Sequence, residues 1–392
     1  MSKTSWRLFL MILLASMTYG GSAHAVYGPR DYVDLHPAGW LSSKAVCVNA
    51  RGDVAGYGMT TQGARGFLWS AGKFTILLPP GASSCTVSWV NNGGEVAGTA
   101  FDAEGAPHAF LFRNGEYTDP TPGWAYSEAL YVGEDGAVTG RGELGGFVAS
   151  GGQISVPPAF TAVVARTSTG VLLGNSDNVA LLYVPGKGYQ SLSLPGGDSA
   201  SPGRVNEKGL ATFSSPVKGV ERGCVYSGGF FIFMTPPGWN SSKAASINNL
   251  SEVAGSGDSP QGRKGFLRSG PEYEDIAYPG WGATEAESIN DRGQVAGSGE
   301  TGSGDTHAFL SSPASLAATA NDPGSGSAMS AGGGCSMTPG QGEPVSVAGI
   351  FNLLLLLSPM AYCFARSLRR GGDHSPMIFT WTRLRRRPSN SP

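Results

Sequence analysis

Charged residues are scarce in this sequence, whereas glycine and proline, which disfavour helices, are abundant. Asp, Glu, Lys and Arg make up 14% of 392 residues, against roughly 25% in a typical soluble domain. The 60 Gly and 26 Pro belong to the two poorest helix-forming types, so the composition argues against a helix-rich protein. Because 40% of the residues are hydrophobic and 10% aromatic, it also argues against disorder along the whole chain. The composition therefore favours a fold of many short β-strands joined by frequent turns.

Residues and motifs that commonly perform chemistry are also few. The chain has five His and five Cys. It contains no Gly-x-Ser-x-Gly elbow, P-loop or paired metal-binding motif. We therefore assign no catalytic, cofactor-binding or metal-binding residue from the sequence, and we expect no cofactor.

Net positive charge is confined to the two ends of the chain. Residues 1–25 and 366–392 contain nine of the 27 Lys and Arg but only one of the 29 Asp and Glu. Residues 26–365 therefore hold 18 basic and 28 acidic residues, a formal charge of −10. This acidic middle lacks the basic surface that binds nucleic acid, so we expect no nucleic-acid partner.

The N-terminus has the pattern of a secretory signal peptide over residues 1–25. Lys3 and Arg7 precede the apolar run 8–19, and Ala23-His24-Ala25 supplies a small-x-small cleavage site. Processing after Ala25 would start the mature chain at Val26. The alternative is a retained membrane anchor.

The C-terminal end divides into three parts. Residues 314–344 form a Gly/Ser-rich linker, and residues 345–365 are apolar over a length that spans a membrane as a helix. The basic tail 366–392 predicts a cytoplasmic C-terminus by the positive-inside rule. Both ends thus predict export of the middle and anchoring in an envelope membrane.

This ending resembles the CTERM sorting tails of bacterial surface proteins, which combine a short Gly- or Cys-bearing motif, a hydrophobic helix and an Arg cluster. The motif here is Gly332-Gly333-Gly334-Cys335. The resemblance implies a sorting protease that processes the chain near Cys335, and display at the cell surface. The tail departs from the family because 22 residues follow Arg370. The alternative is a permanent transmembrane anchor.

A five-residue phrase recurs through the middle of the chain, as in Gly94-Glu-Val-Ala-Gly98. Seven copies begin at spacings of 42, 42, 34, 39, 42 and 42 residues, two of them eroded. The copies are 52–56, 94–98, 136–140, 170–174, 209–213, 251–255 and 293–297.

Each unit has the pattern of four short strands. In the second unit these are Cys85 to Val90, Glu95 to Phe101, His108 to Arg113, and a strand from Tyr117, separated by Asn/Gly turns. Four strands per unit predict a β-propeller blade. Seven units predict an all-β, seven-bladed propeller over residues 26–313, followed by the transmembrane helix. An open β-solenoid and two packed β-sandwiches are the competing folds.

The third strands share a phrase, His108-Ala109-Phe110-Leu111 and His307-Ala308-Phe309-Leu310, with variants at 65–68 and 264–267. Together with residues 289–297, this resembles the bacterial HAF extracellular repeat family. The resemblance is clear in units one, two, six and seven and departs in units four and five. It implies an exported repeat protein without an assigned chemistry.

Several tempting sites have plainer interpretations. His108 and His307 share a repeat position with Arg65 and Lys264, which predicts solvent-facing strand residues, and His36 lies in a loop. Three scattered histidines argue against a zinc site or histidine-based catalysis.

Two Gly-x-Gly-x-x-Gly matches, 140–145 and 297–302, fall between strands two and three, which predicts hairpin turns rather than a dinucleotide site. Asp102, Glu104 and Asp305 lack EF-hand spacing, so turn acids are favoured over calcium ligands.

Cysteines 47, 85 and 224 lie at unlike positions of their units and are odd in number. Buried free thiols are therefore favoured, although export permits disulfides.

The tryptophans of the recurring Pro-Gly-Trp phrase are the candidate binding residues. They are Trp124, Trp239 and Trp281, with Trp40 at the matching place of the first unit. An exposed Trp could stack on a sugar, whereas a structural Trp would pack between blades. The sequence predicts a noncatalytic, membrane-tethered propeller that binds a partner protein or a surface polysaccharide. The alternatives are an envelope hydrolase or lyase with an acidic site in the central channel, and a structural spacer.

Overall fold

The computed structural model describes residues 29–197 and 199–314, which contain 28 β-strands and no helix. The strands form seven antiparallel four-stranded sheets. Innermost strands of consecutive sheets pack against one another, and the last of them, β26, packs against the first, β2. The sheets are therefore the blades of a closed seven-bladed propeller, which confirms the predicted propeller and excludes the solenoid and the sandwiches.

The strands follow the chain from the innermost to the outermost position of each blade. Blade 1 has β2 (Ser42–Val48), β3 (Val54–Thr60), β4 (Gly63–Ser70) and β5 (Lys73–Leu77). Blade 2 has β6 (Ser84–Val90), β7 (Val96–Phe101), β8 (Pro107–Arg113) and β9 (Glu116–Thr118). Blade 3 has β10 (Ser127–Val132), β11 (Val138–Gly142), β12 (Gly145–Ser150) and β13 (Gln153–Ser155). Blade 4 has β14 (Ala162–Arg166), β15 (Leu172–Ser176), β16 (Val179–Val184) and β17 (Gly188–Ser191).

The remaining blades follow the same order. Blade 5 has β18 (Ser201–Val205), β19 (Ala211–Val217), β20 (Val220–Ser227) and β21 (Phe230–Phe233). Blade 6 has β22 (Lys243–Ile247), β23 (Val253–Ser259), β24 (Gly262–Ser269) and β25 (Glu272–Ile276). Blade 7 has β26 (Thr284–Ile289), β27 (Val295–Glu300), β28 (Thr306–Pro313) and, from the start of the chain, β1 (Arg30–Asp34).

Blade 7 closes the ring by combining both ends of the repeat region. Its outermost strand is β1, which pairs antiparallel with β28 from Arg30 opposite Pro313 to Asp34 opposite Phe309. Arg30 fixes this strand, donating hydrogen bonds to Gly293 O (2.6 Å) and Ser311 Oγ (2.7 Å). It also pairs with Glu274 of blade 6 at 3.3 Å. The seventh unit thus supplies only three strands of its own, a closure that the repeat pattern alone did not predict.

The two recurring phrases of the sequence are complementary in shape. The last glycine of the second-strand phrase lies opposite the phenylalanine of the third strand, as Gly98 does opposite Phe110. A Cβ added at Gly98 would lie 2.6 Å from Phe110 Cζ, so the ring covers the glycine. The same pairing recurs at 56/67, 140/147, 255/266 and 297/309.

The eroded units preserve this packing by other means. In blade 4 the residue opposite Gly174 is Leu181, and Phe160 supplies the ring beside the glycine. In blade 5 the sizes are exchanged, since Phe213 on the second strand lies opposite Cys224 on the third. Each blade therefore keeps one large and one small side chain where the two middle strands meet.

Asparagines in the turns between first and second strands link neighbouring blades. Asn49 accepts the N–H groups of Arg51 and Asp53 on its Oδ1, which fixes its own turn. Its amide donates to Asp53 and, across the blade boundary, to Asn91 O at 2.9 Å. The same inter-blade bond recurs from residues 91, 206 and 248, and from Asn290 to Asn49 O at 2.7 Å, across the junction of blades 7 and 1. We call these bonds the asparagine belt.

Candidate binding surfaces

The propeller has two faces that differ in their turns. Because each blade is a meander, the loops that enter first strands lie at the same end as the turns between second and third strands. We call this end the Pro-Gly-Trp face. The opposite end holds the asparagine belt and the turns between third and fourth strands, and we call it the asparagine face.

The four candidate tryptophans are half-buried and pack within hydrophobic clusters at blade boundaries. Each meets the core phenylalanine of its own blade, with ring centroids 5.5–6.2 Å apart in edge-to-face geometry. Trp40 also covers Gly58, where an added Cβ would lie 2.8 Å from its ring. Trp124 and Trp281 cover Gly142 and Gly299 in the same way. This placement accounts for the structural role of Trp40, Trp124, Trp239 and Trp281, and their binding role stays a prediction.

Blade 2 has a cavity where these blades have an indole. Ala82 occupies the tryptophan position, and Ala100 replaces the glycine that the indole covers in blades 1, 3 and 7. The result is a cavity of about 460 Å³ on the Pro-Gly-Trp face. Phe110 and Tyr117 form its aromatic wall, with centroids 5.7 Å apart. We call this cavity the blade-2 pocket. The sequence carries one signal for this pocket, Ala82 in place of Trp, from which no pocket was predicted.

Polar groups lie at the rim of the blade-2 pocket. Asp102 pairs with His108 at 3.5 Å and accepts the Ala106 N–H at 2.7 Å. The hydrogen bond from the Ala106 N–H makes the largest contribution to lowering the pKa of Asp102, and the interaction with His108 lowers this pKa further. Asp119 accepts the Thr121 N–H at 2.8 Å. The pocket therefore joins an apolar interior to a rim with two carboxylates.

Exposed apolar side chains on the Pro-Gly-Trp face flank this pocket. Leu41 (58% exposed) follows Trp40 in blade 1, and its N–H bonds the carbonyl of Met59, which is also exposed. In blade 3, exposed Tyr126 and Leu144 lie at the same end. Among the described residues, the large exposed hydrophobic side chains of blades 4–7 lie on outermost strands or, for Leu250, on the asparagine face. The face is thus most apolar over blades 1–3.

The central channel is lined by a β-bulge from each blade. All seven innermost strands shift register near their middle, and the extra residues project along the channel. Most are small or apolar, but blade 5 contributes Arg204 and blade 7 contributes Glu287. Arg204 lies 4.5 Å from the ring centroid of Trp89 and donates to Val164 O at 3.2 Å.

Arg204 separates two cavities of the channel, about 330 Å³ toward the Pro-Gly-Trp face and about 190 Å³ toward the asparagine face. Burial lowers the pKa of Arg204 and raises that of Tyr131, which lies against Trp89. The stacked arginine therefore narrows the channel between its two mouths.

The hypothesis of a hydrolase or lyase in the channel requires at least two acids or histidines there. In the cavity toward the Pro-Gly-Trp face, the described residues supply a single carboxylate, Glu287, which pairs with Lys243 at 3.5 Å. At the asparagine face, Glu134, Glu207 and Asp291 each accept a backbone N–H from the preceding blade. These three acids join neighbouring blades, and they also line the cavity toward the asparagine face. The requirement of two acids is therefore met only in that cavity, and the hydrolase or lyase stays the alternative prediction.

The histidines are less scattered than predicted. His36 stacks on His307 with ring centroids 3.8 Å apart, and His307 Nδ1 lies 2.9 Å from Asp34 Oδ2. His36 also bonds Ser43 Oγ at 3.1 Å. The closure by β1 brings these groups together, because it places the loop after Asp34 beside β28. His307 is only partly solvent-facing, since its side chain is 20% exposed, whereas that of His108 is 40% exposed.

The three cysteines of the propeller are free and buried. Burial raises the pKa of Cys47 to about 12 and that of Cys224 to about 12. Cys85 donates to Leu77 O at 3.0 Å and accepts the Gly66 N–H at 3.3 Å. Ser127 accepts an inter-blade N–H at the same position of blade 3, so Cys85 acts in place of a hydroxyl. The favoured interpretation, buried thiols, is confirmed.

The glycine motifs and the acids considered as calcium ligands lie at turns. Residues 140–145 and 297–302 connect second and third strands, as predicted. Asp305 accepts the Ser303 hydroxyl, and no group of three or more His, Cys, Asp or Glu in residues 29–197 and 199–314 could hold a metal ion.

Some predicted features lie outside the described residues, among them the processing positions Ala25 and Cys335, the linker and the basic tail. The predicted span 345–365 lies there too. Among the residues described, no helix is long and apolar enough to cross a membrane.

No protein-family model matches this chain, and no curated protein matches it. Solved propellers are similar to it at low identity. An inactive virginiamycin B lyase from Staphylococcus aureus with quinupristin is 15% identical, with a TM-score of 0.48, and the match covers 72% of this chain and 99% of the lyase. A streptogramin B lyase is 12% identical, with a TM-score of 0.49 over 72% and 97%. The propeller domain of the Trilobed protease from Pyrococcus furiosus is 11% identical, with a TM-score of 0.46 over 69% and 95%. These likenesses concern the fold alone.

Proposed function

We propose that this chain is an exported, membrane-tethered propeller that binds a partner through the Pro-Gly-Trp face of blades 1–3. The observation behind the proposal is the set of exposed apolar side chains, headed by Leu41 and Leu144, on either side of the blade-2 pocket. Single exposed apolar side chains are normal on a protein surface, whereas apolar side chains that gather on one face favour an interaction site. The opposite face is occupied by the asparagine belt, whose polar groups are already bonded.

Export and tethering rest on the sequence. The signal-peptide pattern of residues 1–25, the apolar run 345–365 and the basic tail support them. The resemblances to HAF repeats and CTERM tails support them as well, and they add Cys335 as the proposed processing site. The proposed partner is a protein, and a surface polysaccharide is the second candidate because half-buried tryptophans such as Trp124 border the same face.

Site-specific photocrosslinking in the native envelope tests the binding face. The photoreactive residue p-benzoylphenylalanine replaces Leu144 on the Pro-Gly-Trp face or, as a matched control, Leu250 on the asparagine face. The two leucines are 63% and 59% exposed. We expect a discrete adduct from position 144 and none from position 250. Equal adducts from both positions, or none from position 144, would contradict the proposal.

Intact mass spectrometry of the same purified protein tests export and processing. A mature chain that starts at Val26 is expected, and one that still starts at Met1 contradicts cleavage. A C-terminal end near Cys335 supports sorting, whereas an end at Pro392 supports a permanent anchor.

A further inference from the structure

We propose that the blade-2 pocket binds a planar aromatic ring, specifically the indole of an exposed tryptophan on the partner protein. This inference rests on the proposed function and names the chemistry of its central contact. Its basis is the repeat itself, because sibling blades fill the equivalent space with an indole from their own chain.

The residues around the blade-2 pocket occupy the same strand positions as the residues around Trp40 in blade 1. Gly58 and Ala100 lie two residues beyond the glycines that face Phe67 and Phe110. Phe74 and Tyr117 take the same place on the fourth strands. In blade 1, Trp40 meets Phe67 edge-to-face at 5.9 Å, and Phe67 meets Phe74 in the same manner. Blade 2 retains the two acceptor rings and lacks the indole.

The cavity has the size and rigidity of a ligand site. Its volume of about 460 Å³ lies within the range of roughly 300–1,000 Å³ for ligand pockets. Tyr117 is held by the Leu78 N–H, which donates to its hydroxyl at 3.1 Å. Asp102 is held by the Ala106 N–H. A pre-formed wall lowers the ordering cost of binding.

The rim suits an indole better than a purely apolar group. The carboxylates of Asp102 and Asp119 line the cavity and can accept an indole N–H. His108 lies where His307 lies in blade 7, and His307 meets Trp281 edge-to-face at 5.8 Å. The two carboxylates also favour a basic residue beside the tryptophan of the partner.

Binding of fluorinated indoles to the full-length protein in detergent tests the inference. The probes are 5-fluoroindole and 5-fluorotryptophan amide, observed by ¹⁹F NMR line broadening. The double variant A82W/A100G rebuilds the Trp-over-Gly pair of blade 1, so the protein's own indole fills the cavity. We expect at least a 10-fold weaker affinity for both probes and an equal or higher Tm. A82M, which fills the cavity with a smaller side chain, is the second variant in case the double variant does not fold.

The matched control is F160W in blade 4, which enlarges a ring that already fills its site and should leave probe binding unchanged. The inference is overturned if wild type fails to bind the probes, if A82W/A100G and A82M bind as well as wild type, or if methyl hexosides compete at this site and the indoles do not. Crosslinking from position 144 that persists in A82W/A100G would overturn the aromatic contact and leave the proposed function standing.

Discussion

At the scale of single residues, the turn asparagines show how local and long-range roles combine in one side chain. Each fixes its own turn through Oδ1 and joins the next blade through Nδ2, as Asn49 does. The turn was predictable from the sequence, since Asn and Gly favour such conformations. The inter-blade bond was not, because local sequence gives no information on which carbonyl lies beside the amide after the ring closes.

Asp53 gives the belt a dependence on pH. Its partial burial raises the pKa, but hydrogen bonds from Ser70, Asn49 and Arg51 outweigh this effect, and the pKa is lowered overall. A carboxyl with a lowered pKa in the fold adds stability above its unfolded pKa, about 3.9. That stability disappears as the pH falls through the folded pKa.

We therefore expect the urea midpoint of wild type to fall more steeply between pH 5 and pH 3 than that of Asp53→Asn. The measurement is urea unfolding of the full-length protein in detergent at a series of pH values. Gln294 is the neutral equivalent in blade 7, so Gln294→Asn is the control and should leave the wild-type slope intact. Parallel slopes for wild type and Asp53→Asn would refute this role.

At the scale of the strand, the pairing of glycine with phenylalanine explains why the two phrases recur together. Both phrases are visible in the sequence, and they lie on the second and third strands as predicted. Their contact was not predictable, because the register across the hairpin of second and third strands depends on the length and geometry of its turn. The altered packing of blades 4 and 5 was not predictable either. In blade 4, for example, the ring that covers the glycine belongs to Phe160, which lies outside the recurring phrase.

Gly98→Ala tests this packing. The added Cβ would lie 2.3 Å from Thr86 O and 2.6 Å from Phe110 Cζ. Overpacking of this kind costs about 1–3 kcal/mol, and we expect the free energy of unfolding to fall by about 3 kcal/mol in urea titrations. F110L should recover part of the loss, because blade 4 has Leu181 opposite Gly174.

The control for this prediction is Gly302→Ala, whose nearest contact to an added Cβ is 3.8 Å away. It should change stability by less than about 0.5 kcal/mol. Equal losses from Gly98→Ala and Gly302→Ala would show that the close approach to Phe110 has no energetic effect.

At the scale of the whole molecule, the ring is closed by one strand from the opposite end of the chain. The spacing of the repeats predicted seven blades, and the structure has seven. The origin of β1 escaped prediction because residues 30–34 carry none of the recurring phrases. The cluster of His36, His307 and Asp34 escaped with it, since only closure brings these residues together.

Arg30→Ala should weaken this closure. The guanidinium is almost fully buried and bonds Ser311, Gly293 and Glu274, and a hydrogen bond to a charged group contributes about 1.5–3 kcal/mol. We expect a loss of about 3 kcal/mol in unfolding free energy and faster amide exchange in β1. The control is Arg141→Ala, which removes an exposed pair with Glu128 and should cost less than about 1 kcal/mol. An unchanged midpoint for Arg30→Ala would rule out this role in closure.

The closure also decides how the propeller responds to pulling. β28 runs from the Pro-Gly-Trp face to the asparagine face, and the chain leaves at Ala314, whose N–H bonds Pro29 O at 2.8 Å. A partner held at the first face and a tether attached after Ala314 would therefore stretch blade 7 along its strands. Ladder hydrogen bonds lie perpendicular to antiparallel strands, so the five register pairs between β1 and β28 would be loaded together in shear rather than opened one by one. A surface protein tethered in this way would resist flow with its last blade acting as a mechanical clamp.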